Sequence, residues 1–424
     1  MTPAARLAAS IEILGGVLGS NQAADRLLLD WQRKNRYAGA KDRRAIAEAV
    51  YTALREQGMR RWRLQQAEAP LTPRLFAMAD PAISPEQWQA LCDNSKYAPP
   101  RLSDDEIAAL QRLPANDAAP LWARVNLPPE LTALCEARFG TEAEAELEAL
   151  NGRAPLDLRV NTLKTNREEM LRQLQAEGIE AAPTRLSPLG IRLQQQVRLE
   201  QHPLYLDGLI EPQDEAAQVA ALLLGARPGE TVIDLCAGAG GKTLALAAQM
   251  KNRGRLVAAD HDFRRLNRLK PRLARAGIGI VETAAAEKLP ALLEAMEGQA
   301  DRVFLDVPCS GSGTWRRNPE TRWRFGPAAL DDLQAAQRGL LAQGVRLLKP
   351  GGRLVYATCS ILPPENDAPV DDILAHGEVT PIPLAQAWEE GLSTACPLAG
   401  DRLALTPLRH GTDGFFAAVL QRRG

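Results

Sequence analysis

The chain lacks most of the features that sort proteins quickly into classes. It carries almost no net charge: 51 Lys and Arg face 52 Asp and Glu in 424 residues, which leaves −1 with histidine neutral. No whole-molecule field pulls it toward nucleic acid, so any such partner must meet a local patch. Only four histidines (His202, His261, His376 and His410) and six cysteines occur, with no C-x-x-C pair among them. That scarcity argues against a zinc site or a disulfide framework, and free thiols suit a reducing cytosol. No uncharged apolar run approaches the ~18 residues that a membrane span needs. The N-terminal stretch MTPAARLAASIEILGGVLG is broken by Glu12 and reads as an amphipathic helix rather than a signal peptide. Internal repeats and low-complexity tracts are also missing. With 45% apolar residues the chain is not of the disordered type, and at ~150 residues per domain it should form two or three domains. These absences lead to the expectation of a soluble, cytoplasmic, monomeric protein with no metal and no membrane partner.

What is present is unevenly distributed. Residues 1–65 show apolar positions at helical spacing in LAASIEILGGVL, AADRLLLDW and RRAIAEAVYTALRE, and carry twelve Lys/Arg against six Asp/Glu. Proline-punctuated sequence follows, and residues 80–150 hold five basic against thirteen acidic residues. The near-zero total therefore hides a charge division along the chain. LDLRVNTLK reads as a strand, NREEMLRQLQAEG as a helix ending on Gly178, and IRLQQQVRL as a further strand. From EPQDEAAQVAALLLG onward, short apolar runs (TVIDLC, RLVAAD, RVFLDV, GRLVYAT) alternate with helical stretches, the pattern of a doubly wound parallel sheet. The predicted organisation is an all-helical domain at 1–125, a small α+β (RRM-like) linker domain at 126–205, and a Rossmann-like α/β domain at 206–424.

The sharpest local signal is TVIDLCAGAGGKTLALA, in which a buried strand runs through Gly238, Ala239, Gly240 and Gly241 into a helix. Such a turn lets backbone approach a ligand whose polar end meets the helix N-terminus. A P-loop would need its first glycine at Cys236, and a dinucleotide fingerprint would need one at Thr243, so neither pattern is complete. What remains is an acid, a short glycine turn and a second acid, Asp260, closing the next strand nineteen residues past Gly241. An acid there suits two ribose hydroxyls, and the shorter glycine pattern favours an S-adenosylmethionine site.

Ligand chemistry in open α/β sheets lies beyond the carboxyl ends of the strands. Two cysteines fall there: Cys309, three residues past Asp306 in LDVPCSGSG, and Cys359 in YATCS. A thiolate beside a methyl donor suits methylation at C5 of a pyrimidine, where addition at C6 makes C5 nucleophilic and a carboxylic acid at N3 takes up developing charge. Composition leaves open which cysteine attacks.

Together, EALNGRAPLDLRVNTLKTNREE, EPQDEAA, DLCAGAGGKT, VAAD, LDVPCSGSGTWRRNPE, YATCS with PPEND, and TDGFFAAVL resemble the Sun/Fmu family of bacterial RNA cytosine-C5 methyltransferases, which modify small-subunit ribosomal RNA. The resemblance spans roughly 120–424. It implies that Cys359 is the nucleophile, Cys309 assists release of the methylated base, and Asp306 faces the cytosine. It also implies that Cys236, Ala237, Gly238, Ala239, Gly240, Gly241 and Lys242, with Asp260 and Asp306, hold S-adenosylmethionine. The usual third-strand aspartate is replaced by alanines at 284–286, with Glu287 the first acid, so backbone or Glu287 should meet the adenine. The ENE-like triplet is Glu365-Asn366-Asp367. YAGAKDRRAIAEAVYTALRE further resembles a NusB-type helical RNA-binding domain.

Three basic stretches compete for the RNA: residues 33–44, residues 264–275, and the Trp-and-Arg segment after Cys309. The last, with Arg316, Arg317, Arg322 and Arg324, is expected to face RNA because it combines cations with aromatic rings next to a catalytic strand tip. An amino-methyltransferase reading of Asp306–Cys309 lacks the aromatic that its motif requires. A non-catalytic ribosome-assembly role leaves both cysteines unexplained.

Overall fold

The structure is a computed structural model, and it describes every residue except Pro81, Gln196 and residues 286–288. The chain divides into two compact units, one formed by Met1–Gly152 with Trp315–Pro327 and the other by Arg153–Thr314 with Ala328–Gly424.

The first unit is helical. Its opening helix, Pro3–Gly19, starts where the sequence directs: the Thr2 side chain accepts from the Ala5 amide at 3.1 Å and Pro3 takes the first turn. Ala5, Ala9, Ile13, Leu14 and Val17 line its buried face at helical spacing. Helices Ala24–Lys34 and Ala40–Arg55 follow, and Leu14, Trp31, Ile46, Leu54, Phe76 and Trp88 meet in one core. The proline-punctuated stretch is helical as well, its short helices Pro85–Leu91 and Asp104–Gln111 beginning on capping boxes at Ser84 and Ser103. Helices Pro129–Phe139 and Ala143–Ala149 pack with this compact unit, which runs to Gly152.

The second unit contains two sheets. Strands β1 (Leu156–Val160), β2 (Ala181–Pro183), β3 (Gly190–Leu193) and β4 (Ile210–Pro212) pair antiparallel in the order β2-β3-β1-β4. Between β1 and β2 runs helix Arg167–Ala176, capped by Asn166 and followed by Gly178 at φ +72°. This small sheet is fastened to the rest of its unit by buried polar contacts. Glu211 on β4 pairs with Arg272 and Arg275. Asn161 donates to the carbonyl of Ala276 at 3.0 Å, and Lys164 to that of Arg275 at 2.7 Å. Those bonds tie the α+β segment to the large sheet.

The large sheet comprises β5 (Thr231–Asp234), β6 (Arg255–Asp260), β7 (Val281–Ala285), β8 (Ala300–Asp306), β9 (Leu348–Thr358), β10 (Val379–Ile382), β11 (Leu403–Leu405) and β12 (Phe415–Arg422). Its order is β10-β12-β9-β8-β5-β6-β7, with β11 on β12. The five strands from β5 to β9 are parallel, while β12 runs antiparallel between β9 and β10. The unbroken apolar runs of β5, β6 and β8 reflect burial on both faces. The expected Rossmann-like, doubly wound sheet is therefore present, with one antiparallel strand that alternation alone did not reveal. Among the described residues, no helix is long and apolar enough to cross a membrane, and no cluster of His, Cys, Asp or Glu could hold a metal ion.

Candidate active site

Strand order reverses at β5, since β6 and β7 build outward on one side and β8 and β9 on the other. A crevice opens at such a switch point beyond the strand ends. The glycine turn predicted from sequence lies there, between β5 and helix Gly241–Gln249. Gly240 adopts φ +85° and caps the helix; a Cβ there would lie 2.1 Å from Leu269 Cδ1, so only glycine fits. The first-turn amides of this helix have no carbonyl of their own turn to bond, which suits them to a ligand's polar end.

Acidic residues hold the turn. Asp260, at the tip of β6 and 3% exposed, accepts from the Gly238 amide at 2.7 Å with Oδ2 and from the Asp262 amide at 2.7 Å with Oδ1. Each oxygen keeps a second lone pair for a hydroxyl donor. Asp234, fully buried on β5, accepts from Thr243 Oγ1 at 2.6 Å with one oxygen, while Oδ1 has no partner. Burial raises its pKa to about 7. Burial likewise pushes the Cys236 thiol up, so this cysteine is a neutral lining group. Arg272 donates to the carbonyl of Ala239 at 2.5 Å, and Arg159 to that of Gly241 at 2.6 Å. A cradle of this kind, with fixed backbone amides, a buried carboxylate at the next strand tip and one orphaned carboxyl oxygen, fits the ribose and amino acid ends of S-adenosylmethionine. The adenine contact expected of Glu287 lies outside the described residues.

The two cysteines converge. Strands β8 and β9 are parallel neighbours with Asp306 opposite Ala357, so their tips carry the two thiols to one place. Cys309 Sγ lies 3.4 Å from Cys359 Sγ, although fifty residues separate them. The Cys309 pKa is raised well above the ordinary thiol value, first by its hydrogen bond with Cys359 and then by burial. Either sulfur can be the donor in this contact. Beside them, Lys242 donates to Asp306 Oδ2 at 2.6 Å. Burial works against the Lys242 charge, but Asp306 and then Cys359 more than offset it and hold the pKa above the usual lysine value. The ammonium also rests 5.5 Å from the Phe415 ring centroid.

Sequence reasoning missed the group that ties these loops together. Glu365, fully buried six residues beyond Cys359, accepts from the Ser310 amide at 2.7 Å and from the hydroxyls of Ser310 and Ser360 at 2.5 Å each. Gln337 donates both to Glu365 at 3.1 Å and to the Pro308 carbonyl at 2.9 Å. The only signal in the sequence was an acid in the triplet after the Thr-Cys motif. Gly313, whose amide donates to the Cys359 carbonyl at 2.9 Å, meets Gly414 so closely that a Cβ would lie 1.9 Å from the Gly414 carbonyl oxygen. The TDGFF segment is thereby drawn against the site.

The arginines expected to face RNA have other partners. The segment Trp315–Pro327 belongs to the helical unit, where Trp315 and Arg322 are fully buried. Arg322 donates to the carbonyls of Val125, Asn126 and Leu150 and to Asn151 Oδ1, at 2.6–3.3 Å. Arg324 donates to the carbonyls of Val17, Asn21 and Gln22. Arg316 is buried and Arg317 half-buried, and both have partners. Alternating cations and aromatics mark a packed insertion here, because guanidinium groups satisfy helix-end and loop carbonyls as readily as phosphates. The RNA-facing expectation is therefore withdrawn for Arg322, which is fully buried, while Arg324 is half-buried with its guanidinium on protein carbonyls.

Comparison with known proteins places this geometry in a family. A family model for 16S rRNA methyltransferase RsmB/F matches residues 221–421, and a model for the ferredoxin-like domain of RsmF/B-like methyltransferases matches residues 127–200. Ribosomal RNA small subunit methyltransferase B of Pectobacterium carotovorum is 30% identical over 433 residues, covering 96% of each chain. The probable ribosomal RNA small subunit methyltransferase B of Synechocystis sp. is 33% identical over 305 residues, 71% of this chain and 68% of its own. The crystal structure of a methyltransferase homolog protein from Pyrococcus horikoshii superposes with a TM-score of 0.61 at 29% identity, covering 71% of this chain and 97% of that one.

Proposed function

The chain belongs to the RsmB/F family of 16S rRNA methyltransferases, S-adenosylmethionine-dependent enzymes that methylate ribosomal RNA, and from that premise we propose that it methylates C5 of a cytosine in small-subunit ribosomal RNA through a covalent Cys359 adduct. The observation that carries the proposal is the pair of thiols 3.4 Å apart on adjacent parallel strand tips, with the Lys242–Asp306 pair beside them.

Cytosine C5 is a weak nucleophile until the 5,6 double bond is polarised. The Cys359 sulfur forms a bond to C6, and the ring electrons move toward C5 and N3. Asp306 meets N3, and the Lys242 ammonium beside it balances the charge that gathers there. S-adenosylmethionine supplies the electrophilic methyl group that C5 takes. Cys309 then passes its own proton to the departing Cys359 sulfur and takes the C5 proton in its place; the C5–H electron pair restores the 5,6 double bond as the C6–S pair leaves with the sulfur and frees Cys359. Assigning the attack to Cys359 follows the family resemblance, and the raised pKa of Cys309, set first by its hydrogen bond with Cys359 and then by burial, suits a group that acts late and ill suits a nucleophile. The Cys236–Lys242 turn and Asp260 hold the cofactor, and the helical unit is an RNA-binding domain.

Trapping separates the two thiols. Cys359→Ala should form neither 5-methylcytosine nor an adduct. Cys309→Ala should add, transfer the methyl group and stall as a denaturant-resistant protein–RNA complex that needs both RNA and cofactor. An adduct in the Cys359 variant and none in the Cys309 variant would move the nucleophile to Cys309. Absence of any adduct, with 5-methylcytosine still made by both variants, would refute covalent catalysis.

A further inference from the structure

Buried carboxylates are costly unless every lone pair is met, and Glu365 is fully buried. Its two oxygens accept from the Ser310 amide, the Ser310 and Ser360 hydroxyls and the Gln337 amide nitrogen, donors that carry no charge. Two of those residues, Ser310 and Ser360, directly follow Cys309 and Cys359. Ser312 closes the ring, sharing a hydrogen bond with Ser360 at 2.9 Å and accepting from the Ile361 amide at 2.9 Å. The Glu365 carbonyl itself accepts from Tyr356 on β9 at 2.6 Å, and Asn366 bonds Thr358 and the Ser360 carbonyl. One carboxylate thus grips the residue after each thiol and is anchored to the strand that bears Cys359.

We infer that Glu365 is a positioning residue for the two-cysteine site: its carboxylate clamps the Pro-Cys-Ser and Thr-Cys-Ser turns together and so sets the spacing and the electrostatic surroundings of the two thiols. The inference rests on the two-cysteine reaction proposed above. Geometry supports the spacing directly: the carboxylate bonds Ser310 and Ser360 at once, whereas these two residues meet each other through a single 3.3 Å hydroxyl contact. Charge supports the electrostatic part. The titratable and charged groups around the thiols are Asp306, Lys242, Tyr356 and Glu365, with Arg338 farther off beside Tyr356. The hydrogen bond with Cys359 and then burial raise Cys309, and Glu365 adds to both, whereas Lys242 is held charged by Asp306 and Cys359. Neutral donors could have been satisfied equally well by a glutamine with its neighbouring hydroxyls turned. The uncompensated charge therefore has a use, which is to help keep the Cys309 pKa raised.

The test uses the full-length protein and three variants. Glu365→Gln keeps size and hydrogen-bonding capacity but removes the charge; Glu365→Asp keeps the charge but falls short of the two serines; Ser310→Ala removes one side of the grip. Iodoacetamide alkylation of each cysteine is followed across pH by mass spectrometry, without RNA or cofactor, alongside kcat, KM and the thermal midpoint. In Glu365→Gln the Cys309 alkylation midpoint should move down by roughly one pH unit. Glu365→Asp should restore that midpoint but lower kcat ~10–100-fold, with KM for RNA and cofactor nearly unchanged, because the thiols lose alignment. Ser310→Ala should fall between wild type and Glu365→Asp in kcat. An unmoved Cys309 midpoint in Glu365→Gln, or a kcat loss that merely follows loss of folded protein, would overturn the inference. A shifted midpoint in a protein that makes no 5-methylcytosine would uphold the clamp and overturn only the reaction assigned to it.

Discussion

Removing Arg322 should damage the helical unit and leave RNA affinity alone. Its guanidinium, 1% exposed, donates to three carbonyls and one side-chain amide oxygen, all within that unit, and lies 5.2 Å from the Trp315 ring centroid. Burial lowers its pKa to about 9 from 12.5, so the group is still charged at neutral pH but at a cost. Four hydrogen bonds to a charged donor at ~2 kcal/mol each contribute about 8 kcal/mol gross. The depressed pKa places the desolvation cost near 5 kcal/mol at about 1.4 kcal/mol per unit. The difference, roughly 3 kcal/mol, is the expected loss for Arg322→Ala, and the cavity left under Trp315 adds to it. Arg322→Lys keeps the charge and some donors, so it should recover part of the loss. Urea unfolding followed by tryptophan fluorescence reads the stability, and RNA binding at several salt concentrations reads the contact. A phosphate-contacting arginine would lower the salt slope by ~0.7–0.9 on replacement. If Arg322→Ala lowers that slope and leaves the unfolding midpoint where it was, the structural role assigned to Arg322 is wrong.

Two further outcomes follow from the cofactor turn. Asp234 has a folded pKa of about 7, above its ordinary 3.8, so the folded protein holds its proton more tightly than the unfolded chain does. That contribution to stability is complete below about pH 4 and is lost as pH rises through about 7, a change on the order of 4 kcal/mol. Asp234→Asn should flatten the dependence of the urea midpoint on pH between these limits, and an unaltered slope would remove Asp234 as its source. Asp260→Asn keeps an acceptor for the Gly238 amide but loses the charge that would meet ribose hydroxyls, a loss of ~1.5–3 kcal/mol. S-adenosylmethionine binding by calorimetry should weaken about tenfold or more, and an unchanged dissociation constant would place the ribose elsewhere.

Much of the catalytic unit was readable in the sequence because its determinants are local. Each parallel strand is buried on both faces and so appears as an apolar run; the turn after β5 demands glycine at 240; and both thiols follow directly on strands whose tips hold ligands. Adjacency of β8 and β9 then makes two cysteines fifty residues apart into one pair. The features that escaped depend on what a segment packs against, which residue type does not encode. Phe415–Arg422 could be placed as a strand only once β9 and β10 left a gap for it. Trp315–Pro327 has the composition of a nucleic-acid surface, yet its arginines end on protein carbonyls, since phosphate and peptide oxygens offer a guanidinium the same acceptor chemistry.

Glu365 shows the same limit from the catalytic side. The ENE-like triplet marks the position in the sequence, but its partners appear only where the serines after both cysteines converge on it. Its effect also runs through distance rather than contact with substrate: a thiol pair 3.4 Å apart can share a proton, and a pair an ångström wider cannot. The division of labour between Cys309 and Cys359 is then a property of the loops that hold them more than of the cysteines themselves. Motifs locate the reacting atoms, while the buried carboxylate between the loops sets how those atoms face one another.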